Sequence, residues 1–334
     1  MKKAMNAFYA QSGGVTAVIN ATACGVIETS RKNKQVISNV YAGRNGIIGA
    51  LTEDMIDTNR ETKNTIHNLQ YMPGGVFGSA RYKLKGIKEN KIEYERLIEV
   101  FKAHNIGYFF YNGGNDSMDT ANKISIMSKD MGFPIVSLGI PKTVDNDLPI
   151  TDNCPGFGSV AKYIAISTQE AALDVASMSK TSTKVFILEV MGRHAGWIAS
   201  AAGLVKKEKS DAPHIILFPE IPFDKKRFLI KVKESIKKYD YCVIVASEGT
   251  RYKNGSFLSD TGNKDAFGHA QLGGVAPILA QMISKNLNLK YHYAIADYLQ
   301  RSARHIASQL DVKQAYAVGQ AAVEMALKGN NAVM

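Results

Sequence analysis

Along this chain of 334 residues, short apolar runs repeatedly end in glycine turns that lead into a helix-like stretch. The run from Ala7 to Ala10 ends in Gln11-Ser12-Gly13-Gly14, and the run from Tyr108 to Tyr111 ends in Gly113-Gly114-Asn115-Asp116-Ser117. Strands that alternate with helices form mainly parallel sheets covered by helices. Glycine turns after such strands let backbone amides approach a phosphate closely. The pattern therefore predicts an α/β fold with an anion site at the carboxyl edge of its sheet.

A further glycine-rich segment supplies a cation for the same site. Gly74-Gly75 is followed by Gly78-Ser79-Ala80-Arg81. Loops that follow different strands of a parallel sheet converge at its carboxyl edge. We therefore expect Arg81 to reach the same anion as the Gly13 turn.

Seven apolar runs are typical of strands, and the amphipathic stretches between them are typical of helices. The predicted strands lie near residues 6–10, 37–42, 107–111, 134–139, 184–190, 214–218 and 241–246. Two predicted helices, Asp152 to Lys162 and Gly192 to Val205, border candidate site residues. Over a chain of this length, the alternation predicts two α/β domains with mainly parallel sheets.

A polar loop follows the predicted strand at residues 134–139 and carries Lys142, Asp145 and Asp147. Phosphoryl transfer needs a base for the attacking hydroxyl, carboxylate for Mg²⁺ and fixed positive charge for the transferring oxygens. This one loop contains residues for all three tasks. A solvated turn is the alternative interpretation, because proline, asparagine and aspartate favour turns for backbone reasons alone.

The net charge of +11 raises nucleic-acid binding as a competing function. The lysines form separate pairs at Lys206-Lys207, Lys225-Lys226 and Lys237-Lys238, rather than one basic tract with interleaved aromatic residues. Solvated helix faces, together with a field that steers anionic substrates, explain this distribution better. We expect no nucleic-acid partner.

The sequence also bears on the compartment. It has no apolar run of the roughly 18 residues that a membrane span needs, and its N-terminal residues run into the first predicted strand without a long apolar segment or a small-residue cleavage site. Cys24, Cys154 and Cys242 are scattered thiols, which is typical of a reducing compartment and disfavours a structural metal site. A cytoplasmic protein with no membrane association is expected.

Seven ordered motifs, spread over nearly the whole chain, resemble those of the phosphofructokinase family. They are QSGG at 11–14, GSAR at 78–81, GGNDS at 113–117, PKTVDND at 141–147, MGR at 191–193, SEG at 247–249 and YLQR at 298–301. Each motif alone is a weak signal, but their shared order makes chance a poor explanation. Within the family, the chain is most similar to the pyrophosphate-dependent branch.

The resemblance implies two Rossmann-like α/β/α layered domains. Residues 1–141 and about 302–334 would form the phosphoryl-donor domain, and residues 142–301 the sugar-phosphate domain, with the substrates meeting in the cleft between them. The implied reaction is a reversible, Mg²⁺-dependent transfer from pyrophosphate to the 1-hydroxyl of fructose 6-phosphate, in glycolysis and gluconeogenesis. Relatives assemble as dimers or tetramers, so a homodimer or homotetramer is expected.

The matched motifs also imply roles for individual residues. Asp145 is the expected general base, and Arg81 and Arg193 are expected to offset phosphate charge. Asp147 and Asn115 would lie near Mg²⁺, with Asn115 standing where ATP-using relatives have an aspartate. The remaining substrate contacts are expected from Gly13, Thr143, Val144, Lys184, Met191, Gly192, Glu248, Tyr298, Leu299, Gln300 and Arg301. Of these, Lys184 falls, like His292, near a position where a neighbouring subunit of relatives offers an arginine to the sugar phosphate.

Two residues favour pyrophosphate as the donor. ATP-using relatives have glycines at the positions of Asp116 and Lys142, whereas the pyrophosphate-dependent branch typically has aspartate and lysine, as here. The Asp116 carboxylate would oppose the α-phosphate of ATP, and Lys142 would neutralise the departing phosphate. An ATP-dependent 6-phosphofructokinase and a non-catalytic regulatory subunit that binds sugar phosphates are the alternatives. Asp116 and Lys142 disfavour the ATP-dependent enzyme. The regulatory subunit is disfavoured because the general base Asp145 and the phosphate-binding residues Arg81 and Arg193 are all present.

Overall fold

The computed structural model describes residues 4–82, 84, 86, 89–264, 270–272 and 274–334. The chain divides into two compact units. The first comprises Met1–Thr143, Leu148–Gly158 and Ala307–Met334, and the second comprises Val144–Asp147 and Ser159–Ile306. Each unit contains a mainly parallel sheet with helices, which confirms the predicted α/β class.

The helices and strands of the described residues are as follows. The strands are β1 (Met5–Gln11), β2 (Ile37–Gly43), β3 (Met55–Asp57), β4 (Ile106–Gly113), β5 (Val136–Pro141), β6 (Val185–Val190), β7 (Ile215–Leu217), β8 (Cys242–Ser247), β9 (Asp260–Lys264), β10 (Ala270–Leu272) and β11 (Tyr291–Ile295). The α-helices are α1 (Ile19–Lys32), α2 (Ile47–Leu51), α3 (Lys63–Asn68), α4 (Lys91–Ala103), α5 (Asn115–Asp130), α6 (Phe157–Met178), α7 (Trp197–Ala201), α8 (Lys225–Tyr239), α9 (Val275–Leu287), α10 (Asp297–Ser302) and α11 (Gln309–Leu327). Short 3-10 helices are Thr58–Arg60, Leu69–Tyr71, Ala202–Val205 and Arg304–Ile306.

The sheet of the first unit has the strand order β3-β2-β1-β4-β5 among the described residues, and all its neighbours are parallel except β2 and β3. Successive side chains of β1 enter different cores, because neighbouring residues of a strand face opposite sides. Ala7 and Tyr9 pack with α1 and α11 on one face, and Phe8 and Ala10 pack with α4 and α5 on the other. This sheet is therefore covered by helices on both faces.

Two glycines allow α1 and α11 to pack closely. A Cβ atom on Gly25 would lie 2.2 Å from the Tyr316 carbonyl oxygen, and one on Gly319 would lie 2.2 Å from the Thr22 carbonyl oxygen. A side chain at either position would push the helices apart. Beyond α11 the chain pairs with β5, since Gly139 donates to the Val333 carbonyl at 2.9 Å.

The sheet of the second unit has the order β11-β6-β8-β7 among the described residues, and all its neighbours are parallel. Its core lies between this sheet and helices α8 and α9, with Val232 and Leu279 completely buried. Strands β9 and β10 pair separately and antiparallel. Residues 265–269, which connect them, lie outside the described residues.

All seven predicted strands are confirmed, as β1, β2, β4, β5, β6, β7 and β8, with small shifts at their ends. Both predicted helices, by contrast, begin too early. Helix α6 starts at Phe157 rather than at 152, because Gly156 has φ +110° and donates its N–H to Asp311 at 2.9 Å. Helix α7 starts at Trp197 rather than at 192, because Gly192 adopts φ +119° in a turn that packs tightly against Ala195.

Among the helices of the described residues, none combines the length and apolar character that crossing a membrane would require.

A histidine of the second unit makes stability depend on pH. His214 lies between the rings of Tyr239 and Tyr241, at centroid distances of 5.1 and 4.9 Å, and its Nδ1 accepts the Val243 N–H at 2.9 Å. Burial, with a smaller effect of Lys206, lowers the pKa of His214 from 6.5 to about 4. The unfolded chain therefore binds a proton below pH 6.5 that the native chain does not bind until about pH 4.

We expect the urea midpoint of unfolding to fall as the pH is lowered from about 6.5 to about 4. His214→Gln should flatten this part of the profile, because glutamine has no group that titrates in this range. His305→Gln, at an exposed histidine, is the control and should leave the slope unchanged. Parallel profiles for the wild type and His214→Gln would contradict the assignment.

Candidate active site

Three candidate loops of the first unit follow neighbouring strands. The Gly13 turn follows β1, Gly113 ends β4, and Lys142 follows β5. These strands are adjacent and parallel in the order β1-β4-β5. Since the carboxyl ends of parallel strands share one edge, the sequence motifs are brought together as predicted.

A buried cation lies against the Gly13 turn. Lys142 is 6% exposed, and its Nζ donates to the Gly14 carbonyl at 2.7 Å. Gly13 has φ +75°, and a Cβ atom added there would lie 3.4 Å from Lys142 Nζ. The Lys142 backbone N–H donates to the Gly113 carbonyl at 3.0 Å, which ties it to the neighbouring loop. The turn therefore combines a left-handed glycine with a fixed positive charge, as an anion site requires.

The GSAR segment is held against the same turn. Gly13 donates its N–H to the Ala80 carbonyl at 2.9 Å, and Ser79 Oγ donates to the Gly13 carbonyl at 2.7 Å. Arg81 is the next residue and is exposed. The backbone of the residues just before Arg81 therefore lies against the Gly13 turn, as the sequence predicts.

The GGNDS motif forms the start of α5. Gly114 is its N-cap, Asn115 is exposed and Asp116 is half-buried in the first turn. A carboxylate in the first turn is stabilised by the positive end of the helix. Gly113 must lack a side chain, because a Cβ atom there would lie 2.0 Å from Ser117 Oγ. Asp116 is thus fixed on a helix terminus at the edge where Lys142 lies.

In the second unit, Met191 to Arg193 follow β6 and Glu248 follows the adjacent parallel strand β8. Burial raises the pKa of the Glu248 carboxyl, while Arg193 and the Gly192 N–H act in the opposite direction. The Glu248 N–H donates to the Val190 carbonyl at 2.9 Å, which holds Glu248 beside the Met191 to Arg193 turn. The Met191 N–H donates to Gln300 Oε1 at 3.2 Å, so the YLQR motif joins the same group.

Helix α10 carries the rest of the YLQR motif. The Arg301 guanidinium carbon lies 3.8 Å from the centre of the Tyr298 ring, a cation–π contact that orients the charge. Gln300 is 1% exposed, whereas Tyr298 and Leu299 are exposed. Gln300 therefore anchors the helix, and the other three residues face outward or lie near the surface.

Sequence reasoning missed a set of contacts that hold Arg193. Ser247 Oγ donates to the Gly192 carbonyl at 2.5 Å, and Arg251 Nη2 donates to the Arg193 carbonyl at 3.1 Å. A Cβ atom on Gly249 would lie 2.1 Å from the Arg193 carbonyl oxygen, so the two loops touch at backbone level. Ser247 and Gly249 flank Glu248 in the SEG motif, which is a usable signal. Nothing in the sequence marks Arg251.

The loop at 144–147 belongs to the second unit. Val144 and Asp145 are half-buried, and the Asp145 Oδ1 atom is shielded from solvent. Asn146 adopts φ +54°, a left-handed turn that asparagine tolerates. Asp147 is exposed, and the preceding Thr143, half-buried in the first unit, makes a parallel bridge with Gly156.

Two candidates lie apart from Arg193 within the chain. Lys184 precedes β6, whereas Met191 follows it, so they are at opposite ends of one strand. Lys184 Nζ pairs with Asp240 Oδ1 at 2.6 Å, which lowers the pKa of Asp240. His292 is exposed on the edge strand β11, opposite Phe186. A substrate contact by Lys184 or His292 stays a prediction that depends on a second copy of the chain.

The chain belongs to the phosphofructokinase family, since the sequence model described as Phosphofructokinase matches residues 6–326. The family prediction made from the seven motifs is therefore confirmed. The chain is 65% identical to the pyrophosphate–fructose 6-phosphate 1-phosphotransferase of Halomonas elongata, over 98% of this chain and 78% of that protein. It is 63% identical to the protein of the same name from Methylococcus capsulatus, over 99% of this chain and 79% of that protein.

Solved structures of phosphofructokinases are similar to this chain in fold. The crystal structure of the pyrophosphate-dependent phosphofructokinase from Marinobacter aquaeolei is similar, with a TM-score of 0.88 and 61% sequence identity, over 98% of this chain and 77% of that chain. A phosphofructokinase from Pichia pastoris, at 18% identity and TM-score 0.76, shares the fold, over 98% of this chain and 35% of that chain. The predicted phosphofructokinase-like fold is confirmed.

Proposed function

We propose that this chain transfers a phosphoryl group from pyrophosphate to the 1-hydroxyl of fructose 6-phosphate, giving fructose 1,6-bisphosphate and phosphate. The observation that carries the proposal is Lys142 Nζ, buried 2.7 Å from the Gly14 carbonyl beside the left-handed Gly13 turn. A lysine at this position, together with Asp116, is typical of the pyrophosphate-dependent branch. Relatives at 57–65% identity that carry that enzyme's name support the same donor.

In the proposed mechanism, the oxygen of the sugar's 1-hydroxyl forms a bond to a phosphorus of pyrophosphate, and Asp145 accepts the hydroxyl proton. The bridging P–O bond breaks and phosphate leaves. Fixed positive charges from Lys142, Arg81 and Arg193 offset the charge on the transferring and departing oxygens. Thr143 and Val144 contact the transferring group beside the base. By analogy with the family, the transfer is reversible.

The acceptor sugar is held by residues of the second unit. Glu248, Met191 and Gly192 contact the sugar, and Arg301 binds its 6-phosphate from α10. Arg301 suits this task because its guanidinium is always charged and is oriented by the Tyr298 ring at 3.8 Å.

The residues present fit a magnesium ion that binds mainly through substrate. The described residues contain no cluster of three or more His, Cys, Asp or Glu side chains that could hold a metal by itself. Mg²⁺ usually takes only one or two carboxylates and completes its octahedron with waters and substrate phosphates. Exposed Asp147 and Asn115 offer oxygen ligands of this kind. When bound, Mg²⁺ would neutralise pyrophosphate charge.

We further propose that the chain acts as a homo-oligomer in the cytoplasm. Strand β11 is an edge strand of its sheet among the described residues, and Tyr293 and Ile295 on it are each 44% exposed. A partner covering this edge would bury apolar surface. Cys24, Cys154 and Cys242 are buried and none of them forms a disulfide, which supports a reducing compartment.

The proposed function predicts a strong preference between donors. With purified protein, Mg²⁺ and fructose 6-phosphate, we expect formation of fructose 1,6-bisphosphate from pyrophosphate at a kcat/KM at least about a hundredfold above that with ATP. Initial rates with each donor test this directly. Preference for ATP would overturn the roles of Asp116 and Lys142. Binding of fructose 6-phosphate without turnover of either donor would instead indicate a regulatory subunit.

A further inference from the structure

Asn20, at the start of α1, is completely buried and holds a segment far away in the sequence. Its Nδ2 donates to the Met72 carbonyl at 3.0 Å and to the Gly74 carbonyl at 2.9 Å. Its Oδ1 accepts the Val76 N–H at 3.0 Å. The Asn20 side-chain amide thus donates two hydrogen bonds and accepts one, and it satisfies three backbone groups. Among side chains, only an amide combines an NH2 donor with a carbonyl acceptor in this way.

The residues held by Asn20 lead directly to the donor site. Residues 72–81, the Arg81 segment, begin at the Asn20 contacts and end at Arg81. At its far end, the segment is bound to the Gly13 turn through Ser79 Oγ, 2.7 Å from the Gly13 carbonyl, and through the Ala80 carbonyl. Asn20 and Ser79 therefore hold the two ends of the Arg81 segment through hydrogen bonds.

The middle of the segment is shaped to lie against the strand that precedes the Gly13 turn. A Cβ atom on Gly75 would lie 2.7 Å from Gln11 Oε1 and 3.0 Å from Val15 Cγ1. Gln11 is completely buried, and its Nε2 lies 3.4 Å from Asn20 Oδ1. The segment therefore lies directly against Gln11 and Val15 on one side, and the Asn20 hydrogen bonds hold it in this position.

We infer that Asn20 is a positioning residue that sets the affinity for pyrophosphate by fixing the Arg81 segment against the Gly13 turn. This inference rests on the proposed function, because it assumes that pyrophosphate is the anion bound there. Asn20 is 1% exposed and therefore acts through the backbone it holds rather than by touching substrate. A displacement of a charged ligand by about 1 Å can cost on the order of a hundredfold in activity.

The test is steady-state kinetics of Asn20→Ala and Ser79→Ala with both substrates varied. Each variant should raise KM for pyrophosphate by roughly tenfold to a hundredfold and leave KM for fructose 6-phosphate unchanged. The double variant should raise it by less than the product of the two single effects, because either loss already frees the same segment. Ser79 is only half-buried, so its variant remains informative if Asn20→Ala does not fold.

Asn6→Ala provides a matched control. Like Asn20, Asn6 both donates and accepts hydrogen bonds through its side-chain amide. Its Nδ2 donates to the His104 carbonyl at 2.8 Å, and its Oδ1 accepts from Ser38 Oγ at 2.6 Å. It lies near the amino end of β1, away from the Gly13 turn. Its loss should lower the melting temperature and leave both KM values unchanged.

A drop in melting temperature for Asn20→Ala with both KM values unchanged would overturn the inference, since Asn20 would then act on stability alone. Calorimetric titration with pyrophosphate separates this inference from the proposed function. Wild-type protein that binds pyrophosphate without turnover would contradict the proposed function, and the titration of the variants would still test Asn20. Wild-type protein that does not bind pyrophosphate would overturn both.

Discussion

Asp145→Asn should lower kcat for pyrophosphate-dependent phosphorylation by roughly 10²- to 10⁴-fold, the usual contribution of a general base. Asparagine keeps the size and polarity of the side chain but cannot accept the proton of the 1-hydroxyl. Both KM values should change little, because the base acts in the transition state more than in the ground state. Initial rates with fructose 6-phosphate and pyrophosphate at saturating Mg²⁺ measure the effect.

Asp147→Asn is the matched control, because it makes the same chemical change two residues away on the same loop. Asp147 is exposed and is proposed to assist Mg²⁺, whereas Asp145 Oδ1 is shielded from solvent. Raising the Mg²⁺ concentration should therefore restore Asp147→Asn and leave Asp145→Asn inactive. If Asp145→Asn keeps more than about a tenth of wild-type kcat, another group is the base.

The sequence predicted the strands well because parallel strands buried on both faces appear as continuous apolar runs. Strand β8, Cys242–Ser247, is buried throughout and was easily recognised. Strand β11 was missed because it is an edge strand whose sequence Tyr-His-Tyr-Ala-Ile has polar and exposed residues. Helix starts were misplaced where glycines at positive φ, Gly156 and Gly192, delay the first helical turn.

The sequence predicts which site residues come together when those residues directly follow the ends of strands. Gly13, Gly113 and Lys142 share a sheet edge because β1, β4 and β5 are neighbours, which the strand–turn–helix order already suggests. Asn20 and Arg251 were not predictable. Their partners lie 52–58 residues away in the sequence, so only the folded backbone brings them together.

Donor choice gives the other prediction with a large expected effect. Asp116 and Lys142 contribute opposite charges at the edge where β4 and β5 end, with Asp116 in the first turn of α5 and Lys142 buried beside the Gly13 turn. Their joint replacement leaves the net charge unchanged. We expect Asp116→Gly with Lys142→Gly to lower kcat/KM for pyrophosphate by roughly 10²- to 10³-fold, the cost of removing one preorganised charge from a transition state.

The same double variant should raise the ratio of ATP to pyrophosphate turnover, because the carboxylate that opposes the α-phosphate is gone and the space beside the Gly13 turn is larger. Asp119→Gly with Lys123→Gly is the matched control, since that exposed ion pair on α5 also removes one charge of each sign and adds two glycines. The control pair lies beyond the first turn of the helix and should leave the ratio unchanged. If the double variant excludes ATP as strictly as the wild type does, donor choice is set by the shape of the backbone at this edge, and the two side chains serve only to bind pyrophosphate.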